Sequence, residues 1–187
     1  QRKPKLFANP LIKKIMKYKI GRNIMFFFFG KKKDKKTAWP DWVKKTDEER
    51  IENIPWILEN SKQLWIPTEK IDGTSTTFTM KRAAMGKMDY RVCSRNVVFD
   101  KPNKACYYDT NVYLEMSEKY KIEDILRNIL ALRKDVKYVT LQGETYGVGI
   151  QKRDYGMKDH DFAAFNLIYG YKNGEVQRFN PSEMAAI

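Results

Sequence analysis

Short segments alternating apolar and polar residues, joined by Asp-Gly and Asn-Gly turns, constrain this chain most. Thr74 to Lys81, Asp89 to Arg95, Tyr138 to Glu144, Asp161 to Tyr171 and Glu175 to Phe179 carry the period-two pattern of half-buried strands. Leu64 to Glu69 reads as a further strand, partnered with Thr74–Lys81 across a turn at Asp72-Gly73, and Lys172-Asn173-Gly174 joins the last two strands. Two stretches switch to helical spacing, Asn111 to Tyr120 and Ile122 to Arg133, the second with Ile125, Ile129 and Leu132 on one face. Thr46-Asp47-Glu48-Glu49 has the form of a capping box, opening a short helix that stops before Pro55. Asn180-Pro181 suits the start of a last helix. Strands joined by turns, with helices set apart from them, describe an α+β domain of antiparallel sheets flanked by helices.

Charge divides the chain. Of a net +13, residues 1–36 hold +12, with 13 basic side chains against Asp34 alone; residues 37–187 are left with +1. The first part reads as a basic N-terminal element or the end of a preceding domain or linker, the second as a partial catalytic domain. Within the first, Leu11, Ile12, Ile15 and Met16 recur at helical spacing, Ile24 to Phe29 is strand-like, and Lys31 to Lys36 is either a solvated loop or a phosphate-backbone contact. No apolar run approaches the roughly 18–20 residues that span a bilayer, so no membrane partner is expected. Cys93 and Cys106 are too few for a disulfide scaffold or a zinc site, and read as reduced thiols of a cytoplasmic protein. A catalytic triad would have to use His160, the one histidine, which sits in a charged stretch and reads as an ordinary surface residue.

The segment with most chemistry in it is Thr68-Glu69-Lys70-Ile71-Asp72-Gly73-Thr74-Ser75. A lysine at the end of an apolar strand is expected at the floor of a pocket, where a depressed pKa makes the amine a nucleophile. Gly73 lets backbone approach a ligand closely. Alone, the pattern better fits a surface lysine before an ordinary Asp-Gly turn.

Downstream come Arg91-Val92-Cys93-Ser94-Arg95-Asn96, Leu141-Gln142-Gly143-Glu144-Thr145-Tyr146-Gly147, Gly149-Ile150-Gln151-Lys152 and Asp161-Phe162-Ala163-Ala164-Phe165-Asn166. In order, spacing and local structure, these resemble motifs I, Ia, III and IIIa of the covalent nucleotidyltransferases, the superfamily of ATP-dependent DNA and RNA ligases and mRNA capping enzymes. The run from Gly143 to Lys152, then Tyr155-Gly156, together with Thr68-Glu69-Lys70, resembles the RNA ligase 2-like branch. The resemblance spans Trp39 to Phe179 and implies the ATP-grasp-like ligase adenylation fold.

It also implies roles. Lys70 would take AMP from ATP as a lysyl phosphoramidate, then pass it to an RNA 5′-phosphate that a 3′-hydroxyl attacks. Asp72 would hold water on Mg²⁺ or Mn²⁺, or orient Lys70. Glu69 would accept from the adenine amine, Ile71 and Gly73 would line the nucleotide, and Arg95 would contact ribose or phosphates. Glu144 would accept from ribose hydroxyls, and Phe165 would stack on adenine while Phe162 packs in the core. Arg91, Gln151, Lys152 and Arg153 are candidates for RNA, and Ser94 and Asn96 are weaker candidates for a place in the site. RNA with 5′-phosphate and 3′-hydroxyl ends is the implied partner, and an end-healing kinase or phosphatase a further candidate. A DNA ligase, a capping guanylyltransferase and an idle nucleic-acid-binding module are the competing readings.

Two family motifs have no counterpart here. Neither Glu175 nor Glu183 is followed by Gly, and no K-x-K occurs after Phe165. The fold is therefore expected to be incomplete at the C-terminus, and these 187 residues alone are expected to self-adenylylate poorly or not at all.

Overall fold

A computed structural model describes residues 39–45, 49–59, 62, 68–99, 110–179 and 181–185. The chain divides into two units, Gln1–Lys36 and Thr37–Ile187, and every described residue lies in the second. The expectations for residues 1–36, for Cys106 and for most of the Thr46–Glu49 and Leu64–Glu69 segments lie outside the described residues.

Six antiparallel strands form one sheet: β1 (Thr74–Arg82), β2 (Met88–Ser94), β3 (Val98–Phe99), β4 (Val136–Gly147), β5 (His160–Tyr171) and β6 (Val176–Phe179), in the order β3-β2-β1-β4-β5-β6. This is a mixed α/β domain built on an antiparallel sheet, as the alternating segments predict. The expected hairpin between Leu64–Glu69 and β1 finds no free side of β1 among the described residues. β1 already has β2 on one side and β4 on the other, paired Thr79↔Arg91 and Thr79↔Thr140, and Thr68 and Glu69 have no strand conformation. The predicted Lys172–Gly174 turn does join β5 to β6, closed by the Tyr171 N–H donating to the Glu175 carbonyl at 2.8 Å.

Register sorts the sheet into two unlike faces. Phe78 and Met80 of β1 lie opposite Leu141 and Val139 of β4, which in turn face Leu167 and Tyr169 of β5. Helices α2 (Val112–Lys119) and α3 (Ile122–Leu132) cover this apolar face with Val112, Tyr113, Met116, Ile122, Leu126 and Leu130. Each such side chain, once fully buried, contributes about 1.5–3 kcal/mol. The α3 face differs from the one expected: Ile122, Leu126 and Leu130 are buried, whereas Ile125 and Leu132 stand exposed. Apolar residues at so many positions of this helix support two overlapping stripes, and the sheet selects one.

The other face is polar. Thr77, Gln142 and Asn166 form one cross-strand row, and Thr79 and Thr140 the next, all buried. These groups are satisfied across the row and by an overlying strap. Thr79 Oγ1 and Thr140 Oγ1 are 2.7 Å apart, the Trp42 indole donates to Thr79 Oγ1 at 3.0 Å, and the Gln142 amide donates to the Lys44 carbonyl at 2.9 Å. A burial cost of a few kcal/mol per unmade bond explains why a strap of these residues is needed.

Smaller elements depart from expectation. The helix proposed after the capping box is a 3-10 turn, Ile51–Asn53, capped by Arg50 without a side-chain bond, followed by the one-turn α1 (Trp56–Glu59). A final turn, α4 (Pro181–Met184), starts at the expected proline.

Candidate active site

The polar face ends in the chemistry-bearing residues. Ser75 lies opposite Glu144, continuing the Thr77–Gln142 row toward one edge of the sheet. The chain enters β1 through Lys70, Ile71, Asp72 and Gly73, so β1 and β4 bring two distant motifs together.

Close approach sets this junction. A Cβ on Gly73 would come within 2.3 Å of the Thr145 carbonyl oxygen and 2.9 Å of Glu144 Cγ. Only glycine lets the backbone lie this near β4, where its N–H favours the ionised Glu144 carboxylate. Gly143 serves the opposite face: a Cβ there would meet Phe162 Cζ at 2.4 Å. The Phe162 ring fills that space and meets Phe78 edge-on, with centroids 5.2 Å apart. Phe162 is thus a core residue, as expected.

Glu144 is a half-buried carboxylate whose pKa is raised. Burial is the main cause, and the neighbouring Asp72 adds to it. The Lys70 ammonium and the Gly73 N–H pull the other way. Two carboxylates and one ammonium therefore lie within electrostatic reach of each other. Lys70 itself is exposed and belongs to no strand, which corrects the expectation of a lysine at the floor of a pocket. The closing side of such a pocket is not formed among the described residues.

Beside this junction, Trp39, Lys45, Ser75, Thr77 and Arg95 line a shallow open depression. Arg95 is exposed there, just past β2, and Glu69 is exposed beside Lys70. Arg91 lies further along the polar face and forks onto Asp89 at 2.5 and 3.1 Å. Ser94 Oγ accepts from the Val97 N–H at 3.2 Å, and Asn96 accepts from Lys45 Nζ at 2.8 Å. Phe165 is half-buried at an irregularity in the ladder: Gln142 pairs with Asn166 and Gly143 with Ala164, leaving Phe165 as the extra residue. Bulges of this kind re-aim side chains next to active sites.

The family model described as RNA ligase matches residues 63–187. The chain belongs to the RNA ligase family. No curated protein matches this RNA ligase family member. Among solved structures, Naegleria gruberi RNA ligase is similar in several forms. One variant with ATP and Mn gives a TM-score of 0.60 at 29% identity, over 79% of this chain and 38% of that one. A variant with AMP and Mn gives 0.59 at 28%, and the enzyme with PPi gives 0.58 at 29%, over the same shares. The chain thus spans about two-fifths of the length of the ligase it resembles, with its 38% share. The sheet is the nucleotidyltransferase fold of RNA ligases.

The supports of this neighbourhood are contacts that the sequence does not announce. Gln151 donates its amide to the Gly73 carbonyl at 3.1 Å, and Lys152 and Arg153 extend from the same exposed loop. Tyr155, quoted only as part of a motif, accepts from the Asp72 N–H at 2.6 Å. His160 is no ordinary surface residue. Its side chain is 17% exposed and ties Glu115 of α2, at 3.0 Å, to the Val148 carbonyl at 2.9 Å.

Proposed function

We propose that this chain carries the nucleotide-transfer centre of an ATP-dependent RNA ligase, with Lys70 as the nucleophile. The observation that supports it most is the closure of Gly73 onto Glu144, which keeps the Lys70 ammonium within electrostatic reach of a half-buried carboxylate on the polar face.

Lys70 Nζ attacks the α-phosphorus of ATP as a free amine. The N–P bond forms as the bond from that phosphorus to the bridging oxygen breaks, and pyrophosphate leaves. Glu144 accepts hydrogen bonds from the ribose hydroxyls, an ionised carboxylate being an acceptor only. Arg95 contacts ribose or phosphate with its fork of donors, Glu69 accepts from the adenine amine, and Phe165 stacks on the base. Ile71 and Gly73 line the nucleotide. AMP then passes to an RNA 5′-phosphate, and attack by a 3′-hydroxyl on that activated end releases AMP. Arg91, Lys152 and Arg153 are assigned to the RNA strand, whereas the Gln151 amide, expected there too, donates to the Gly73 carbonyl.

The donor set fits a hard divalent ion held through water. Asp72 is an exposed carboxylate beside Glu144, and the described residues contain no cluster of three or more metal-binding side chains. Mg²⁺ or Mn²⁺ keeps most of its waters in such a site, and when bound supplies charge neutralisation at the phosphates. The cytoplasm and a role in RNA repair belong to the same proposal, with an end-healing kinase or phosphatase as a candidate partner.

Sealing assays on this chain, and on any longer protein that contains it, test the reading. ATP should support joining of 5′-phosphate to 3′-hydroxyl RNA ends and GTP should not. DNA 3′ ends should be joined less well, because the 2′-hydroxyl identifies RNA. Preference for GTP or for DNA would move the protein to one of the competing classes, and failure of every longer protein to join any ends would leave an idle binding module.

A further inference from the structure

The β4–β5 loop, residues 148–159, reaches back to the Lys70 segment on both sides of Asp72-Gly73. Tyr155 Oη accepts from the Asp72 N–H at 2.6 Å, and the Gln151 amide donates to the Gly73 carbonyl at 3.1 Å. Both residues have φ of 56°, in the left-handed region that side-chain-bearing residues rarely occupy. Strain of this kind persists where surrounding contacts over-determine it.

The loop is anchored away from Lys70. His160 donates to the Val148 carbonyl through Nε2 and meets Glu115 through Nδ1. The Tyr155 ring packs edge-on against Tyr146, with centroids 5.5 Å apart. Asp161, paired with Tyr146 across the β4–β5 ladder, accepts from the Tyr120 hydroxyl and, at 2.8 Å, from the Phe162 N–H. Burial pushes the Asp161 pKa up, but these bonds and the Lys119 ammonium at 3.8 Å outweigh it and hold the carboxyl below the usual carboxylate range. The chain of contacts runs from α2 and β5, through two tyrosines, to the peptide two residues past Lys70.

We propose that Tyr155 and Gln151 are positioning residues, a two-point clamp that fixes the otherwise exposed Lys70 segment against β4 for attack on the α-phosphate. This rests on the assignment of Lys70 as nucleophile. Tyr155 carries the decisive test because Tyr155→Phe keeps the ring on Tyr146 and removes only the accepting oxygen.

Three readouts separate positioning from general damage. Single-turnover lysyl–AMP formation at saturating ATP should slow about threefold to tenfold in Tyr155→Phe, the effect of one missing hydrogen bond, with KM for ATP unchanged. Sealing of RNA supplied already adenylylated should be unaffected, since Lys70 takes no part in that step. Exchange of the Asp72 amide hydrogen should quicken, whether or not nucleotide is present. An adduct forming equally fast in Tyr155→Phe overturns the clamp alone, as does equal slowing of adenylylation and of the pre-adenylylated reaction. No adduct in the unsubstituted chain or in any longer protein that contains it overturns the nucleophile assignment and the clamp's role with it, and Asp72 exchange still shows whether the hydrogen bond exists.

Discussion

Gly73→Ala puts the proposed junction of Lys70 and Glu144 under direct strain. The new methyl would sit 2.3 Å from the Thr145 carbonyl oxygen. Ordinary carbon–oxygen approaches are about 3.3 Å or longer, so the segment must retreat by about 1 Å. Thr145 Cα is held in the ladder between β1 and β5, so the Lys70 side must move. That movement stretches the 3.1 Å bond from Gln151 and draws the Gly73 N–H from Glu144. A misplacement of this size costs on the order of a hundredfold in rate. Overpacking costs about 1–3 kcal/mol, a fall in melting temperature of roughly 2–12 °C for a domain of this length. Transfer of label from α-labelled ATP, followed beside a thermal melt, measures both. Adduct formation at the unsubstituted rate, with the melting temperature also unchanged, would refute the close-approach argument.

Glu144 and the basic N-terminal element give two further expectations. Burial raises the Glu144 pKa, so the folded chain holds that proton more tightly than the unfolded chain does, and stability falls as pH rises from its ordinary value of 4.5. Glu144→Gln should therefore raise the melting temperature at neutral pH, lose that gain below 4.5, and weaken ATP binding; a lower melting temperature at neutral pH would contradict this. Deleting residues 1–36, which hold +12 of the net charge, should make the salt dependence of RNA affinity shallower by about 0.9 in log–log slope for each duplex phosphate that the shortened chain leaves unneutralised. Titrations at several salt concentrations with an unchanged slope would reduce that element to a solvated tail.

Periodicity carries a large share of this structure. β1, β2, β4, β5 and β6 fall within a few residues of the alternating segments, because one face of each must be apolar. Pairing is less legible, since alternation marks a strand without naming its neighbour. β1 shows this: it is a central strand, and its partners are β2 and β4. The buried stripe of α3 is ambiguous for a similar reason, with apolar residues on more than one helical face. At the site, motif order locates Lys70, Gly73 and Glu144, and the geometry supplies the reason for the two glycines: Gly73 admits backbone beside Glu144, and Gly143 admits the Phe162 ring. The roles of His160 and Tyr155 escape a reading of the sequence because they rest on tertiary contacts with Glu115, Val148 and Asp72, which no local pattern encodes.

The central claim is that Lys70 becomes covalently bound to AMP. Incubation with ATP and Mn²⁺, of this chain and of any longer protein that contains it, followed by peptide mass mapping at alkaline pH where a phosphoramidate survives, tests it most directly. In a longer protein that contains this chain, the account predicts an AMP adduct on the peptide bearing Lys70, abolished in Lys70→Ala, with little or none in the 187 residues alone. An adduct on another residue, or one that persists in Lys70→Ala, would contradict it.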